Sequence, residues 1–309
     1  MTQPHTMKLS ITYLYTIYTY GYPPTLEGDL KALDDIRDMG FHFLEMESLG
    51  PEHGRLLWDH RADIKRRLER NGIRIHNFVG MDPDLVSLDD TRRAAAYERF
   101  KRTAELGSYF ETDLLHVASY APPVEYPEGE IYKIGSAYEF PRLPRVRVPA
   151  GYDWRRVWDV QVESGREVAR TAARHGKTVI MEPRVGEVIC NADSLRRLVD
   201  DVGMPNFKAN FDTAHLCAHR ENIPVALTKL QGCFANVHIA DNDVVTPEHL
   251  PIGKGVIDWD EFFRLLKAWG YRGHLGLDIA ARTNLVADIE YSCAKIIEIA
   301  SRQGVTIEK

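Results

Sequence analysis

The chain has 309 residues, of which 44% are hydrophobic and 27% charged, and its formal net charge is -6. This length suits either two average domains or one large α/β barrel, and the acidic balance argues against the clustered Lys and Arg that nucleic-acid binding requires. No apolar run approaches the roughly 18 residues needed to cross a bilayer, which argues against a membrane protein.

The first ten residues, MTQPHTMKLS, contain neither the basic segment nor the apolar core of a signal peptide, so we expect a cytoplasmic protein. The four cysteines are far apart and form no CxxC pair. This spacing argues against both a disulfide framework and a structural zinc site.

Short apolar segments rich in β-branched and aromatic residues alternate with amphipathic helical patterns, which indicates repeated βα units and a parallel sheet. The predicted strands are residues 9–18, 41–47, 73–79, 113–120, 177–183, 207–213, 234–240 and 273–280. The helical patterns end at or near a glycine, as a left-handed C-cap requires. Eight such units predict a (β/α)8 barrel whose reactive residues lie at the C-terminal strand ends.

One irregular segment, residues 121–153, follows the fourth predicted strand and is rich in Pro, Gly and Tyr. Loops longer than about 12 to 15 residues are usually lids, binding elements or disordered segments. Its aromatic residues favour an ordered lid over the barrel mouth. We therefore predict a single domain, residues 1–309, with residues 121–153 as a lid-like insertion.

Polar residues stand at the ends of four consecutive predicted strands: Glu182, Asp212, His238 and Asp278. Strand alternation allows the four side chains to converge inside the mouth. Three carboxylates and one imidazole, without a thiolate, suit a divalent ion with open coordination positions. We expect Mn²⁺, with Co²⁺, Mg²⁺, Fe²⁺ and Zn²⁺ as alternatives.

Each of these residues also has a simpler interpretation, since a strand-end Asp is commonly a helix N-cap and a buried His is commonly a core residue. Without a cation, however, three neighbouring carboxylates would raise one another's pKa. The four together therefore favour a metal site. His215, three residues after Asp212, is expected to face whatever the ion holds, and the alternative for His215 is a cap or loop contact.

The segments VIMEPR, NFDTAH and NVHIAD, and above all PIGKGVIDWDEFFRLLKAWGYRGHLGLD, are similar to those of the xylose isomerase-like barrel superfamily of sugar phosphate isomerases and epimerases. The resemblance covers almost the whole chain outside residues 121–153. It implies ketoses, inosose-like cyclitols or related polyols as substrates. It also implies metal ligands at Glu182, Asp212, His238 and Asp278, with Glu187, His215 and His116 near the substrate.

The ketose 3-epimerases that the chain resembles use two metal-bound glutamates, on the fifth and eighth strands. Glu182 matches the first, but residue 278 is the shorter Asp, and Val244 stands where those enzymes have an arginine. Both departures argue against a plain 3-epimerase. We predict a divalent-metal-dependent isomerase or epimerase that acts on a keto-sugar or polyol by proton abstraction next to a metal-bound carbonyl. The predicted catalytic residues are Glu182, His215, Glu187 and His116.

A metal-dependent lyase or dehydratase is the alternative, because the same activation can expel a leaving group. One example in the superfamily is the α subunit of a deglycosidase that cleaves the C–C bond of 3-oxo-C-glycosides. An endonuclease acting at abasic DNA sites is more remote, because those enzymes need an Asp where this chain has Pro247. A noncatalytic barrel would be expected to have an incomplete ligand set.

His76, His249 and Lys254 are predicted to bind substrate, with a core position as the alternative for His76. Glu45 and Glu47 share one face of the second predicted strand, where an ion pair at the rim or a substrate contact would account for them. We expect a small sugar or sugar derivative as partner, and neither nucleic acid nor membrane. A homo-oligomer that can include a small partner subunit is expected.

Overall fold

The computed structural model describes residues 4–129, 144–245, 248–280 and 284–309. Its strands are β1 (His5–Ile11), β2 (Phe43–Leu49), β3 (Arg74–Met81), β4 (Leu114–Val117), β5 (Thr178–Met181), β6 (Phe207–Asp212), β7 (Phe234–Ile239), β8 (His274–Leu277) and β9 (Val305–Glu308). Strands β2 to β8 pair in chain order, and β1 pairs in parallel with both β8 and β2. The ring is therefore closed, and the predicted (β/α)8 barrel is confirmed.

Helices surround the barrel. They are α1 (Leu14–Tyr20), α2 (Leu26–Asp38), α3 (Gly50–Asp59), α4 (Arg61–Asn71), α5 (Asp90–Tyr109), α6 (Trp154–Ala173), α7 (Ala192–Val202), α8 (Thr213–Ala218), α9 (Ile223–Lys229), α10 (Trp259–Ala268), α11 (Leu285–Arg302) and a 3-10 helix (Pro83–Val86). The core includes the aromatic contacts of Phe211 on β6 with Phe234 and Phe262. No helix in the described part of the chain is both long and apolar enough to span a membrane.

Local sequence explains several helix boundaries. Asn191 caps α7 by accepting the backbone N–H of Ser194, and the Ser194 hydroxyl accepts the backbone N–H of Asn191 in return. Helices α4 and α7 end at Gly72 and Gly203, whose φ angles of 64° and 65° are left-handed. Glycine adopts this conformation without strain.

The predicted first strand, residues 9–18, is wrong in its second half, where the chain forms α1. The run ITYLYTIYTY favours a strand because aromatic and β-branched residues have high strand propensity. In the structure, the hydroxyls of Tyr15 and Tyr20 both donate to Asp35 on α2. Tertiary contacts of this kind override propensity, so the helix forms here.

Strand β9 follows the last helix and pairs in parallel with the first half of β1, between His5 and Lys8. The sequence predicts no strand at this point, and that prediction is wrong. The segment VTIE has only four residues, too few for a period of two to be distinguished from a loop.

The pairing shifts register where polar side chains enter the barrel. The β2–β3 register shifts between Leu44 and Glu45, and the β6–β7 register shifts between Ala209 and Asn210. Such bulges re-aim the side chains that follow them. Both irregularities thus occur directly before polar residues of the candidate site.

The lid-like insertion is described only at its two flanks, residues 121–129 and 144–153, and residues 130–143 lie outside the described residues. Glu125 and Arg147 form an antiparallel bridge, so the flanks lie side by side. Closure of the segment over the mouth stays a prediction.

Candidate metal centre at the barrel mouth

The four predicted metal ligands lie at the C-terminal ends of neighbouring strands. Glu182 and Asp278 directly follow β5 and β8, Asp212 ends β6, and His238 is the penultimate residue of β7. Their exposed fractions are 6%, 4%, 1% and 6%, in that order. Polar residues this deeply buried need partners, because an unpaired buried polar group is costly.

Three of the four form a compact cluster. Nδ1 of His238 lies 2.9 Å from Oε2 of Glu182 and 3.6 Å from Oδ2 of Asp212. The ligand atoms of the three residues all lie within 4.8 Å of one another. A set of two carboxylate oxygens and one imidazole nitrogen can hold a divalent metal ion.

Two atoms of this cluster, His238 Nδ1 and Asp212 Oδ2, are buried and have no hydrogen-bond partner among the described residues. Nδ1 is at ion-pair distance from Glu182, but the geometry of this contact is not that of a hydrogen bond. Buried polar atoms in proteins almost always have a partner. Because a divalent cation would supply one to both atoms, the residues present fit a metal ion.

Asp278 is held outside this cluster by two contacts. Its Oδ1 accepts the Thr12 hydroxyl at 2.6 Å, and its Oδ2 lies 2.9 Å from Nδ1 of His249. The structure therefore brings Asp278 to the same rim and directs both of its oxygens to protein partners. Its role as a fourth ligand stays a prediction.

A second cluster shares Asp212 with the first and adds His215 and His249, with ligand atoms again within 4.8 Å. The two imidazole rings meet edge to face with their centroids 4.8 Å apart. Burial lowers the pKa of His215 to about 4. Burial also opposes a charge on His249, but the adjacent Asp278 carboxylate raises its pKa above the ordinary value.

His116 on β4 lies beside the cluster. Its Nε2 lies 3.9 Å from Oε2 of Glu182, and its ring centroid is 5.7 Å from that of His238. Burial lowers its pKa. The imidazole is therefore neutral near pH 7 and able to accept a proton.

Glu187 supports the loop after β4. Its Oε2 accepts hydrogen bonds from the backbone N–H and hydroxyl of Ser119 and from the backbone N–H of Tyr120. Its Oε1 lies 3.4 Å from the Arg184 guanidinium, which also approaches Glu182. Arg184 was not singled out from the sequence, although VIMEPR places it two residues after a predicted ligand.

Two of the predicted substrate-binding residues, His76 and Lys254, do not contact the three clustered ligands through any hydrogen bond, ion pair or ring contact among the described residues. His76 is fully buried, where it contacts Ser10 and Glu45 and stacks on His274. Lys254 is exposed, with its ammonium group over the Tyr291 ring. The structure favours the core position for His76.

Glu45 and Glu47 on β2 both lie near the candidate metal site. Glu45 is buried and accepts hydrogen bonds from Asn77 and Asn236. Glu47 is partly exposed, but the removal of most water from around its carboxyl group, with the nearby Asp278 carboxylate, raises its pKa to about 8 against the opposing effect of the Arg184 guanidinium. The sequence signal for both was a pair of acids of equal parity in an apolar strand.

The electrostatics of the cluster favour a cation. Burial opposes a charge on His238, but the Glu45 and Glu182 carboxylates beside it raise its pKa well above the ordinary value. Burial likewise opposes ionisation of Glu182, but His238 and His116 hold its pKa well below the ordinary value. Without a metal, a proton on His238 provides the positive charge that these carboxylates require.

Fold and cluster together define a (β/α)8 barrel with a carboxylate and imidazole centre at the C-terminal ends of its strands. The chain belongs to the xylose isomerase-like TIM barrel family, whose model matches residues 33–299. This membership confirms the family predicted from the sequence.

One sequence relative is hydroxypyruvate isomerase of Escherichia coli (strain K12), which is 23% identical over 150 residues. The aligned part is 47% of this chain and 57% of the relative, so the chain spans little more than half of that relative's length. The relative is thus similar to this chain over a limited segment.

Two solved structures share the fold over almost their whole length. The 3-keto-D-glucoside 4-epimerase YcjR from E. coli superposes with a TM-score of 0.72 at 20% identity, over 94% of this chain and 99% of that chain. The probable 3-DHS dehydratase AsbF from Bacillus anthracis gives 0.68 at 14% identity, over 94% and 99%. Identities this low show the fold alone. The prediction of an enzyme agrees with these relatives, which are an isomerase, an epimerase and a dehydratase.

Proposed function

We propose that the chain is a divalent-metal-dependent isomerase or epimerase that acts on a keto-sugar or polyol. The main support is the cluster of Glu182, Asp212 and His238, in which a nitrogen and an oxygen are buried without a hydrogen-bond partner in the described part of the chain. The isomerase and epimerase activities named for two of its relatives point to the same reaction class.

Glu182, Asp212 and His238 would hold the ion, with Asp278 as the fourth ligand that the sequence predicts. Carboxylates with one imidazole suit Mn²⁺. When bound, a divalent ion supplies Lewis-acid polarisation of a carbonyl and its neighbouring hydroxyl, which is worth several kcal/mol of barrier. That polarisation would acidify the C–H bond of the hydroxyl-bearing carbon next to the carbonyl.

We assign His215 as the base that removes this proton. It borders the cluster through Asp212, and its lowered pKa of about 4 keeps the imidazole neutral near pH 7. His116, on the other side of Glu182, is the second candidate. Glu187 is assigned a supporting role because one of its oxygens accepts three hydrogen bonds. A well-placed base contributes roughly 10² to 10⁴ in rate.

A metal-dependent lyase or dehydratase is the second candidate, and the contacts of Asp278 favour it. Because Thr12 and His249 engage both of its oxygens, Asp278 is poorly placed to act as a second acid or base. Epimerisation needs proton transfer on both faces of a carbon, whereas expulsion of a leaving group from the β carbon needs a base on one face. A deglycosidase subunit that cleaves 3-oxo-C-glycosides is an example of this second class.

The deciding experiment is incubation with keto-sugars, 3-oxo-glycosides and cyclitols in D₂O containing Mn²⁺, followed by NMR. An epimerase yields solvent deuterium at one carbon and two epimers, whereas a lyase releases a leaving group. Protein treated with EDTA should lose activity and regain it with Mn²⁺.

The test variant is Asp212→Asn. Its amide oxygen can still accept the His215 backbone N–H that Oδ1 accepts at 2.7 Å, so the fold is kept while the unpartnered carboxylate oxygen is lost. Exchange at the wild-type rate in this variant, or in metal-free protein, would contradict the proposed function.

Several predictions stay part of this proposal. They are the single domain of residues 1–309 with its lid, a sugar or sugar derivative as substrate, a homo-oligomer with room for a small partner subunit, and a cytoplasmic location.

A further inference from the structure

Glu45 is a buried carboxylate inside the barrel that contacts the candidate metal cluster through His238. Its Oε2 accepts a hydrogen bond from Asn77 at 2.7 Å and lies 2.9 Å from Nε2 of His238. Its Oε1 accepts a hydrogen bond from Asn236 at 3.0 Å and lies 3.4 Å from Nε2 of His76. Glu45 is only 1% exposed, so these side chains replace water around the carboxylate.

Burying a carboxylate in a barrel interior is energetically costly. Such interiors are usually filled by bulky branched side chains, and an uncompensated buried ion costs several kcal/mol. Burial opposes the charge on Glu45, but His238 beside it keeps its pKa well below the ordinary value. Because apolar residues would fill the same space at lower cost, the contact with His238 calls for a functional explanation.

We propose that Glu45 is a positioning residue of the metal site, which accepts the Nε2 hydrogen of His238 and leaves Nδ1 facing Glu182 and Asp212. The inference rests on the proposed metal-dependent function. In a neutral imidazole, one nitrogen carries the proton and the other carries a lone pair. A carboxylate at Nε2 therefore selects the tautomer in which Nδ1 can bind a metal, and makes that nitrogen more basic.

The hydrogen bonds of Glu45 favour positioning over direct coordination. Glu45 also lies within ligand distance of His116 and His238, so it is a candidate ligand by proximity alone. However, Glu45 meets His238 at Nε2, whereas Glu182 and Asp212 meet it at Nδ1, so an ion held with Glu182 and Asp212 would lie on the other side of the ring. This geometry fits a positioning role for Glu45 better than a role as ligand.

The test is Glu45→Gln in the full chain, measured by Mn²⁺ binding. The change keeps the size of the side chain and removes its charge. Asn77 and Asn236 each have an amide oxygen without a hydrogen-bond partner in the ranges that the structure describes, so rotation of either amide lets it accept from the new NH₂ group. We expect the Mn²⁺ dissociation constant, measured by EPR of free Mn²⁺, to rise about 10- to 100-fold. The visible absorption of bound Co²⁺ should also shift.

Asp29→Asn is the matched control. Asp29 is 2% exposed, and its Oδ2 lies 3.2 Å from Nε2 of His53. The substitution makes the same chemical change in a buried carboxylate and histidine pair that contains no proposed ligand. Its Mn²⁺ affinity and Co²⁺ spectrum should match those of the wild-type chain.

Each outcome is decisive. If the wild-type chain binds Mn²⁺ and folded Glu45→Gln binds it equally well, the positioning role is overturned and the proposed function stands. Equal losses in both variants also overturn it, because the effect would then be general. A wild-type chain that binds neither Mn²⁺ nor Co²⁺ overturns both proposals. Should Glu45→Gln fail to fold, Glu45→Asp keeps the charge and withdraws it by one methylene, and unchanged Mn²⁺ affinity in that variant overturns the role.

Discussion

The histidines inside the barrel should make the protein sensitive to acid. His76 and His274 stack with their ring centroids 3.9 Å apart. Burial lowers the pKa of His76 to about 3 and that of His274 to about 4. Both imidazoles are therefore neutral in the folded chain at pH values where an unfolded chain would protonate them.

The sign of the effect follows from proton uptake. Above about pH 6.5, the ordinary pKa of histidine, neither the folded nor the unfolded chain binds the proton, and stability is unaffected. As pH falls from 6.5, the unfolded chain takes up protons that the folded chain excludes, so the free energy of unfolding decreases. For His274 the loss ends near its folded pKa of about 4. At pH 5, which is 1.5 units below 6.5, the decrease in the free energy of unfolding is about 1.4 kcal/mol per unit, or roughly 2 kcal/mol in total.

His274→Phe should remove this loss and keep an aromatic ring against His76. We expect urea unfolding of metal-free protein to show a stability difference between pH 7.5 and pH 5 that is about 2 kcal/mol smaller in the variant than in the wild-type chain. The control is His42→Gln, since His42 is exposed, and it should retain the wild-type pH dependence. If the free energy of unfolding of His274→Phe decreased between pH 7.5 and pH 5 by as much as that of the wild-type chain, His274 would not be a source of the acid sensitivity.

Three further predictions concern the site. Asp278→Glu should lower turnover by about 10²-fold, because the 2.6 Å contact with Thr12 leaves no room for another methylene and the longer side chain would displace the neighbouring residues of the rim. Turnover that is kept or raised would identify residue 278 as the second base. His215→Ala should lower turnover by roughly 10² to 10⁴ while Mn²⁺ affinity stays constant; wild-type exchange of substrate deuterium would exclude His215 as the base. Replacing residues 130–143 with a short Gly-Ser linker should raise KM and leave the melting temperature unchanged, because rim loops contribute little to the core; unchanged kinetics would argue against a lid.

Much of the fold could be predicted from the sequence because its signals are local. The alternation of strand and helix patterns is visible within short windows, and strand parity places residues such as Asp212 and His238 at the same rim. The rule that parallel barrels carry their reactive groups at the C-terminal strand ends then indicates where to search. These steps require no knowledge of distant contacts.

The elements that were missed depend on distant contacts. His238 is separated from Glu45 by 193 residues, and no local pattern shows that these two side chains meet. The position of Asp278 depends on His249, whose loop is held by pairing of Asp241 with Leu250. Helix α1 likewise depends on the contacts that its tyrosines make with α2. Side-chain pairing across the barrel, rather than periodicity, determines these features.

The helix cap and the metal ligand are compatible roles for Asp212. Its Oδ1 accepts the backbone N–H of His215 at 2.7 Å, while its Oδ2 is buried without a hydrogen-bond partner in the described ranges. The cap fixes the rotamer and so directs the second oxygen. His238 follows the same pattern, with Nε2 held by Glu45 and Nδ1 directed to the cluster.

This pattern applies to Asp212 and His238 but not to Glu182, whose Oε2 accepts the Asn210 amide and whose Oε1 lies 3.4 Å from the Arg184 guanidinium. A side chain held through one polar atom presents the other in a fixed direction, which is what a preorganised ligand requires. Asp278 and Glu187 have both oxygens occupied by protein partners. Binding an ion or a substrate proton would cost each of them an existing contact. The proposed centre therefore depends first on Asp212 and His238, and the supporting residues determine how rigidly these two are held.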